Sequence, residues 1–188
     1  MTTIAAVQGK YWAVIGCDSR VTDDVGKVYS LTKENPKLIT NGPYLLAAAG
    51  DVRAINILSF VFKPPVPPFG CTGQKLDKFI SSQFIPELRK CYEDSGYGKS
   101  EDAQSDVIVL VNGTIYEIDS DYSWCHDSSG IYAIGTGSSY AIGSLASALS
   151  DGKRSINSVK ARVKEAIAIS CRYDSSSAEP IVVISQNK

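Results

Sequence analysis

The sequence predicts an α+β fold of sandwich type, in which blocks of mainly antiparallel strands alternate with pairs of helices. Three stretches place turn residues between two apolar, β-branched runs: Gln8-Gly9-Lys10, Asn41-Gly42-Pro43 and Asn112-Gly113. Each reads as a hairpin. Two further regions, after Gly50 and after Gly137, each carry two successive segments with apolar residues at helical spacing. Two sheets face to face, with a helix pair outside each, bury all of these faces at once. The 188 residues, 44% hydrophobic and 21% charged, suffice for one domain spanning the whole chain, 1–188.

In order, residues 3–7 and 11–17 form the first hairpin, which carries Asp18 back beside Thr2. Residues 22–35 are polar, with a short strand at 28–31. The second hairpin pairs 37–40 with 44–49. Asp51 is placed to cap a following helix whose buried stripe is Ile55, Leu58, Val61 and Phe62. Residues 63–68, Lys-Pro-Pro-Val-Pro-Pro, make a stiff connection to a long helix over 74–94. That helix turns Leu76, Phe79, Ile80, Phe84 and Leu88 inward, and Pro86 kinks it. A polar loop over 95–104 leads to the third hairpin, 106–111 with 114–119. A strand over 132–134 runs into Gly135-Thr136-Gly137-Ser138-Ser139 and a helix with Ile142, Leu145, Ala146 and Leu149 on one face. The last helix, 155–171, aligns Ile156, Val159, Val163, Ile167 and Ser170. Asp174 to Ser177 turns the chain into a final strand at 180–185.

Composition excludes several function classes. The net charge of −1 gives no footprint for a nucleic-acid partner. No apolar run reaches the roughly 18 residues that span a membrane, and no basic region with an apolar stretch marks a signal peptide, so the expected location is cytoplasmic. The five cysteines lack Cys-x-x-Cys spacing, which points to neither a zinc site nor a disulfide framework. Cys17, Cys91 and Cys171 read as small buried apolar residues. The single histidine, His126, sits in a polar turn, so a hydrolase built on this chain uses a base other than imidazole. Gly98-Lys99-Ser100 resembles the end of a phosphate-binding loop, but the position of its first glycine is Glu93 and no strand feeds it. Asn112-Gly113-Thr114 matches a glycosylation acceptor and is better explained as a hairpin turn.

Against this background the N-terminus stands out. Met1-Thr2-Thr3-Ile4, followed by Cys17-Asp18-Ser19-Arg20-Val21-Thr22, resembles the start of the proteasome β-type and HslV-type threonine peptidases, a family of N-terminal-nucleophile hydrolases. Later motifs extend the likeness over nearly the whole chain. The resemblance implies a four-layer αββα fold and a mature N-terminus at Thr2. It implies Thr2 as nucleophile, Asp18 as the carboxylate that orients a catalytic lysine, and Lys37 as that lysine. Lys37 is preferred to Lys33 because it abuts the strand whose Asn-Gly turn sets the register. Gly50 matches the oxyanion-hole glycine. Thr136 stands where the family usually has serine, and Asp174 with Ser177 matches the pair that holds the N-terminal amine. The glycine pair that often follows this motif is replaced by Ala178-Glu179. Val21, Asn35, Ile39, Ala48 and Val52 match positions lining the substrate pocket and predict a neutral, roomy one.

Taken singly these residues have ordinary explanations as turn formers, caps and solvated lysines; taken in order they form a chemically coherent set. A free α-amine titrates near 7.7–8.0, well below lysine at about 10.4. A nearby cation lowers it further. Removal of Met1 therefore gives Thr2 a hydroxyl and its own base. Neither cofactor nor metal is required. The resemblance further implies protein or peptide substrates, stacked homo-oligomeric rings and an ATPase or other ring cap. Two alternatives stay open: a non-catalytic ring subunit, and an amidase acting on small molecules.

Overall fold

The computed structural model describes residues 2–23, 25–32, 36–97, 105–150, 152 and 155–188. The chain is a mixed α+β structure. Strands β1 (Ile4–Gln8) and β2 (Trp12–Cys17) form the first hairpin, with Ile4 opposite Cys17 and Gln8 opposite Ala13. A two-stranded ribbon of β3 (Arg20–Thr22) and β4 (Val28–Ser30) follows. Strands β5 (Leu38–Asn41) and β6 (Tyr44–Gly50) make the second hairpin, and β7 (Ser105–Val111) and β8 (Thr114–Ile118) the third. At the third turn Asn112 and Gly113 have φ of 50° and 66°, the left-handed pair that matches strand twist.

A short β9 (Trp124–Cys125) completes the five-stranded sheet β5-β6-β7-β8-β9. Strands β10 (Ile131–Ile134) and β11 (Val182–Asn187) flank the first hairpin in the four-stranded sheet β10-β1-β2-β11. Helix α1 (Val52–Phe60) follows β6, with the Asp51 side chain accepting from the Arg53 N–H at 2.8 Å. Helices α4 (Ser138–Ala148) and α5 (Ile156–Tyr173) come late, with Ser155 capping α5.

Alternation along β1 divides its side chains between two cores. Ile4 and Ala6 join Ile15 and Cys17 of β2 and Leu45, Ala47, Ile108 and Leu110 of the other sheet. Ala5 and Val7 join Val14 and the α4–α5 residues Leu145, Val159 and Val163. A third cluster combines Leu46, Ala48 and Val109 with Leu58 of α1 and the long helix residues Phe84 and Leu88. With a core against each face, the strands read as apolar runs rather than as alternating ones. Helix α5 lies so close to β2 that a Cβ at Gly16 would come within 2.8 Å of Ile167.

Several expectations need correction. The irregularity expected at Pro86 takes the form of a π turn. The long helix runs as α2 (Gln74–Phe79), a π turn (Ile80–Phe84) and α3 (Ile85–Asp94), with the Ile85 N–H bonded to the Ile80 carbonyl. The wide turn just ahead of Pro86 absorbs the hydrogen bond that proline cannot make. Helix α1 ends two residues before the end of the expected stripe, leaving Val61 53% exposed while Phe62 stays buried. In α4 the buried stripe is Ala141, Leu145 and Leu149, while Ile142 and Ala146 face outward. These lie one position round the helix, and the tight entry through Gly135 and Gly137 decides which wedge meets the sheet. Of the cysteines expected inside, only Cys17 is buried; Cys91 and Cys171 are half-buried, whereas Cys71 is buried. Strands β3 and β9 were not expected, being too short to show a period.

Candidate catalytic site

The register of the first hairpin builds the site. Ile4 opposite Cys17 puts Thr3 opposite Asp18, and the Asp18 N–H donates to the Thr3 carbonyl at 3.1 Å. The aspartate then turns its carboxylate back along the strand end. Oδ1 accepts from the Thr2 hydroxyl at 2.7 Å, the Thr3 N–H at 2.9 Å and the Lys37 ammonium at 2.7 Å. Oδ2 accepts from the N–H groups of Arg20 at 2.9 Å and Ala178 at 3.1 Å. Asp18 is fully buried and saturated with donors, as a buried carboxylate must be.

Lys37 precedes β5 and closes the group by donating to Thr2 Oγ1 as well. Because a carboxylate only accepts and an ammonium only donates, the Thr2 hydroxyl donates a hydrogen bond to Asp18 and accepts one from Lys37. Thr2 and Lys37 are each 2% exposed. Burial pulls the Lys37 ammonium below its ordinary pKa, and the Asp18 charge beside it opposes that shift without cancelling it.

A second group adjoins the first. Asp174, just after α5, accepts on Oδ2 from Thr136 Oγ1 at 2.8 Å and from Ser177 Oγ at 2.6 Å. Ser177 also meets Thr3 Oγ1 at 2.7 Å. Glycines make this convergence of β1, β10 and the start of α4 feasible. A Cβ at Gly135 (φ 88°) would overlap the Thr2 carbonyl, and one at Gly137 would overlap Thr3 Oγ1. The Gly137 N–H donates to the Thr2 carbonyl at 3.3 Å.

Gly50 ends β6 with φ 124° and is exposed. With Leu38 opposite Ala47, Lys37 flanks Ala48 on the neighbouring strand, two residues before Gly50 and so about 7 Å along it. Of the expected pocket residues, Ile39 and Ala48 share the core beneath α1. Val21 is half-buried in β3 and Val52 half-buried at the first residue of α1. Asn35 lies outside the described residues, as do Met1, Lys33 and the Gly98-Lys99-Ser100 stretch.

Other nucleophiles and bases are poorly placed. Burial pushes the Cys17 thiol up to about 12 and the Cys171 thiol up to about 11, which disfavours the reactive thiolate. His126 pairs with Asp77 at 3.1 Å and packs against the rings of Tyr116 and Trp124, and none of its bonds reaches the Thr2 group. No cluster of three or more metal-ligating side chains occurs among the described residues. No helix among them is long and apolar enough to cross a membrane.

Sequence reasoning missed two features. One is the direct bond from Thr2 to Asp18, which depends on a rotamer. The other is the side chain of Thr3, whose partner lies 174 residues away.

No family model matches the chain, and no curated protein matches it. Solved structures do. The chain is similar to BPH of Thiobacillus denitrificans in complex with epoxomicin, with a TM-score of 0.77 and 19% identity over 99% of this chain and 98% of that one. It is similar to HslV of Trypanosoma brucei, with a TM-score of 0.67 and 19% identity over 100% of both chains. It is also similar to Anbu of Pseudomonas aeruginosa, solved as a helical assembly, with a TM-score of 0.66 and 14% identity over 99% of this chain and 81% of that one. The fold is therefore of the HslV and proteasome β type.

Proposed function

We propose that this chain, with its HslV-like and proteasome-like fold, is the threonine-type endopeptidase subunit of a self-compartmentalising protease. The observation that carries the reading is the buried Thr2–Asp18–Lys37 group, in which one hydroxyl is bonded to both a carboxylate and an ammonium. An inert N-terminal threonine would be solvated, not 2% exposed against a buried ion pair. The three core clusters likewise favour the four-layer αββα arrangement, with α1–α3 outside one sheet and α4–α5 outside the other.

In the proposed mechanism Met1 is removed, which frees the Thr2 amine. The Lys37 charge lowers the amine pKa by repulsion, so at neutral pH the amine accepts a proton. Thr2 Oγ1 passes its proton to that amine as it attacks the peptide carbonyl; the C–N bond then breaks, the leaving amine takes the proton from the Thr2 amine, and the acyl-enzyme remains. Lys37, which donates to Thr2 Oγ1, stabilises the developing alkoxide, and Asp18 holds Lys37 in place. The Gly50 N–H stabilises the oxyanion, an effect worth roughly 3–4 kcal/mol where it has been measured. Thr136, Asp174 and Ser177 hold the freed amine, and water releases the product. The residues expected to face the substrate side chain before the cut carry no charge, among them the half-buried Val21 and Val52, so cleavage follows large apolar side chains. The particle is a stack of homo-oligomeric rings, capped by an ATPase or another ring, acting on proteins and peptides in the cytoplasm.

Peptide hydrolysis by three proteins tests the reading. The wild type turns over, Thr2→Ser keeps part of the activity because hydroxyl and amine both survive, and Thr2→Ala has none. Undiminished hydrolysis by Thr2→Ala removes Thr2 from the chemistry. An assembled but inert wild type assigns the chain to the non-catalytic subunits instead. Cleavage of small amides but no peptides makes it an amidase.

A further inference from the structure

We infer that Thr3 is a positioning residue for the reaction, an inference that rests on the peptidase reading above. Thr3 is fully buried, and it bonds into both halves of the site. Its N–H donates to Asp18 Oδ1 at 2.9 Å, in the half that contains Thr2 and Lys37. Its hydroxyl meets Ser177 Oγ at 2.7 Å, in the half that contains Asp174 and Thr136.

The direction of the second bond follows from proton counting. Ser177 has one hydroxyl proton and gives it to Asp174 Oδ2 at 2.6 Å, since an ionised carboxylate only accepts. The contact with Thr3 must therefore run from the Thr3 hydroxyl to the Ser177 oxygen. Thr3 thus fixes the Ser177 rotor in the orientation that serves Asp174. The same residue is anchored on its other sides. The Gly137 N–H holds the Thr2 carbonyl at 3.3 Å, and Gly137 lacks the Cβ that would displace Thr3 Oγ1. The peptide unit between Thr2 and Thr3 is gripped at its carbonyl, its N–H and the following side chain. The tilt of that unit sets where the Thr2 nitrogen and Cβ point, and so the aim of nucleophile and base together.

Thr3→Val keeps the β-branched shape and both backbone anchors and deletes only the hydroxyl. It leaves Ser177 an unfilled acceptor rather than an orphaned donor, the milder of the two losses. Misplacement of a reacting group by about 1 Å costs about a hundredfold, so kcat should fall between about tenfold and a hundredfold. KM should stay within about twofold, because substrate contacts are untouched. Thr3→Ser should restore most of kcat.

A purely structural role would lower the melting temperature in step with activity, and Thr3→Ser would restore both together. Thr3 acts through Ser177, so Thr3→Val should cost much less in a Ser177→Ala background than in the wild type. Should the valine variant not fold, Thr3→Ala against Thr3→Ser gives the same comparison. Wild-type kcat in Thr3→Val, or full additivity with Ser177→Ala, overturns this inference and leaves the peptidase reading standing. A wild type that hydrolyses no peptide overturns both.

Discussion

At Lys37 two forces oppose one another on a single ammonium group. Burial disfavours its charge, the Asp18 carboxylate favours it, and burial prevails. The net result is a cation held beside the Thr2 hydroxyl at reduced proton affinity. Lys37→Met should reduce turnover by about a hundredfold or more, the scale of losing one aligned donor. It should destabilise the fold by about 3 kcal/mol, the lower end for breaking a buried pair, because Asp18 keeps its other donors.

The pH dependence has a definite sign. Between the lowered pKa of Lys37 and the ordinary value near 10.4, the unfolded chain binds a proton that the folded one does not, so stability from this group rises with pH. Denaturant midpoints measured from pH 8 to 10 should show that rise in the wild type and not in Lys37→Met. A parallel pair of curves would mean that burial does not govern this lysine. At this scale Asp18 beside Thr2 was legible because one hairpin register places it, and Lys37 only through the resemblance to the family's motif. The hydrogen bonds from Thr2 to Asp18 and from Lys37 to Thr2 were not, because they depend on side-chain rotamers.

At the scale of elements, the turns carried most of the legible information. Asn41-Gly42 and Asn112-Gly113 fixed two hairpins, and the apolar runs beside them fixed their strands. Helical period gave the existence of α1, α4 and α5 but not the facing of α4, because a broad apolar stripe leaves the buried wedge to be chosen by tertiary contacts. Pro86 signalled an irregularity without revealing its form as a π turn. The entry to α4 is the most constrained element of the site. Gly137→Ala should push against Thr3, destabilising the protein by about 2 kcal/mol as overpacking does. Turnover should fall by about a hundredfold through misplacement of Thr2. Thermal melts and initial rates check the two effects, and an alanine variant with wild-type rates would show that the Thr2–Thr3 peptide unit tolerates a shift.

At the scale of the whole molecule, the fold is of the HslV type and the chain carries almost no net charge. A net charge of −1 puts little long-range repulsion between identical subunits. Light scattering on the purified protein should report a particle of many subunits, and a clean monomer under native conditions would remove the chamber from the account. The central claim is chemical, however, and rests on a free amine and a reactive hydroxyl on one residue. Intact-mass spectrometry before and after treatment with an electrophilic peptide inhibitor, followed by peptide mapping, reads both. The account predicts a chain lacking Met1 that gains one inhibitor mass, with the adduct on Thr2, and no gain in Thr2→Ala. A chain that hydrolyses peptides while retaining Met1, or an adduct mapped to any other residue, would contradict it.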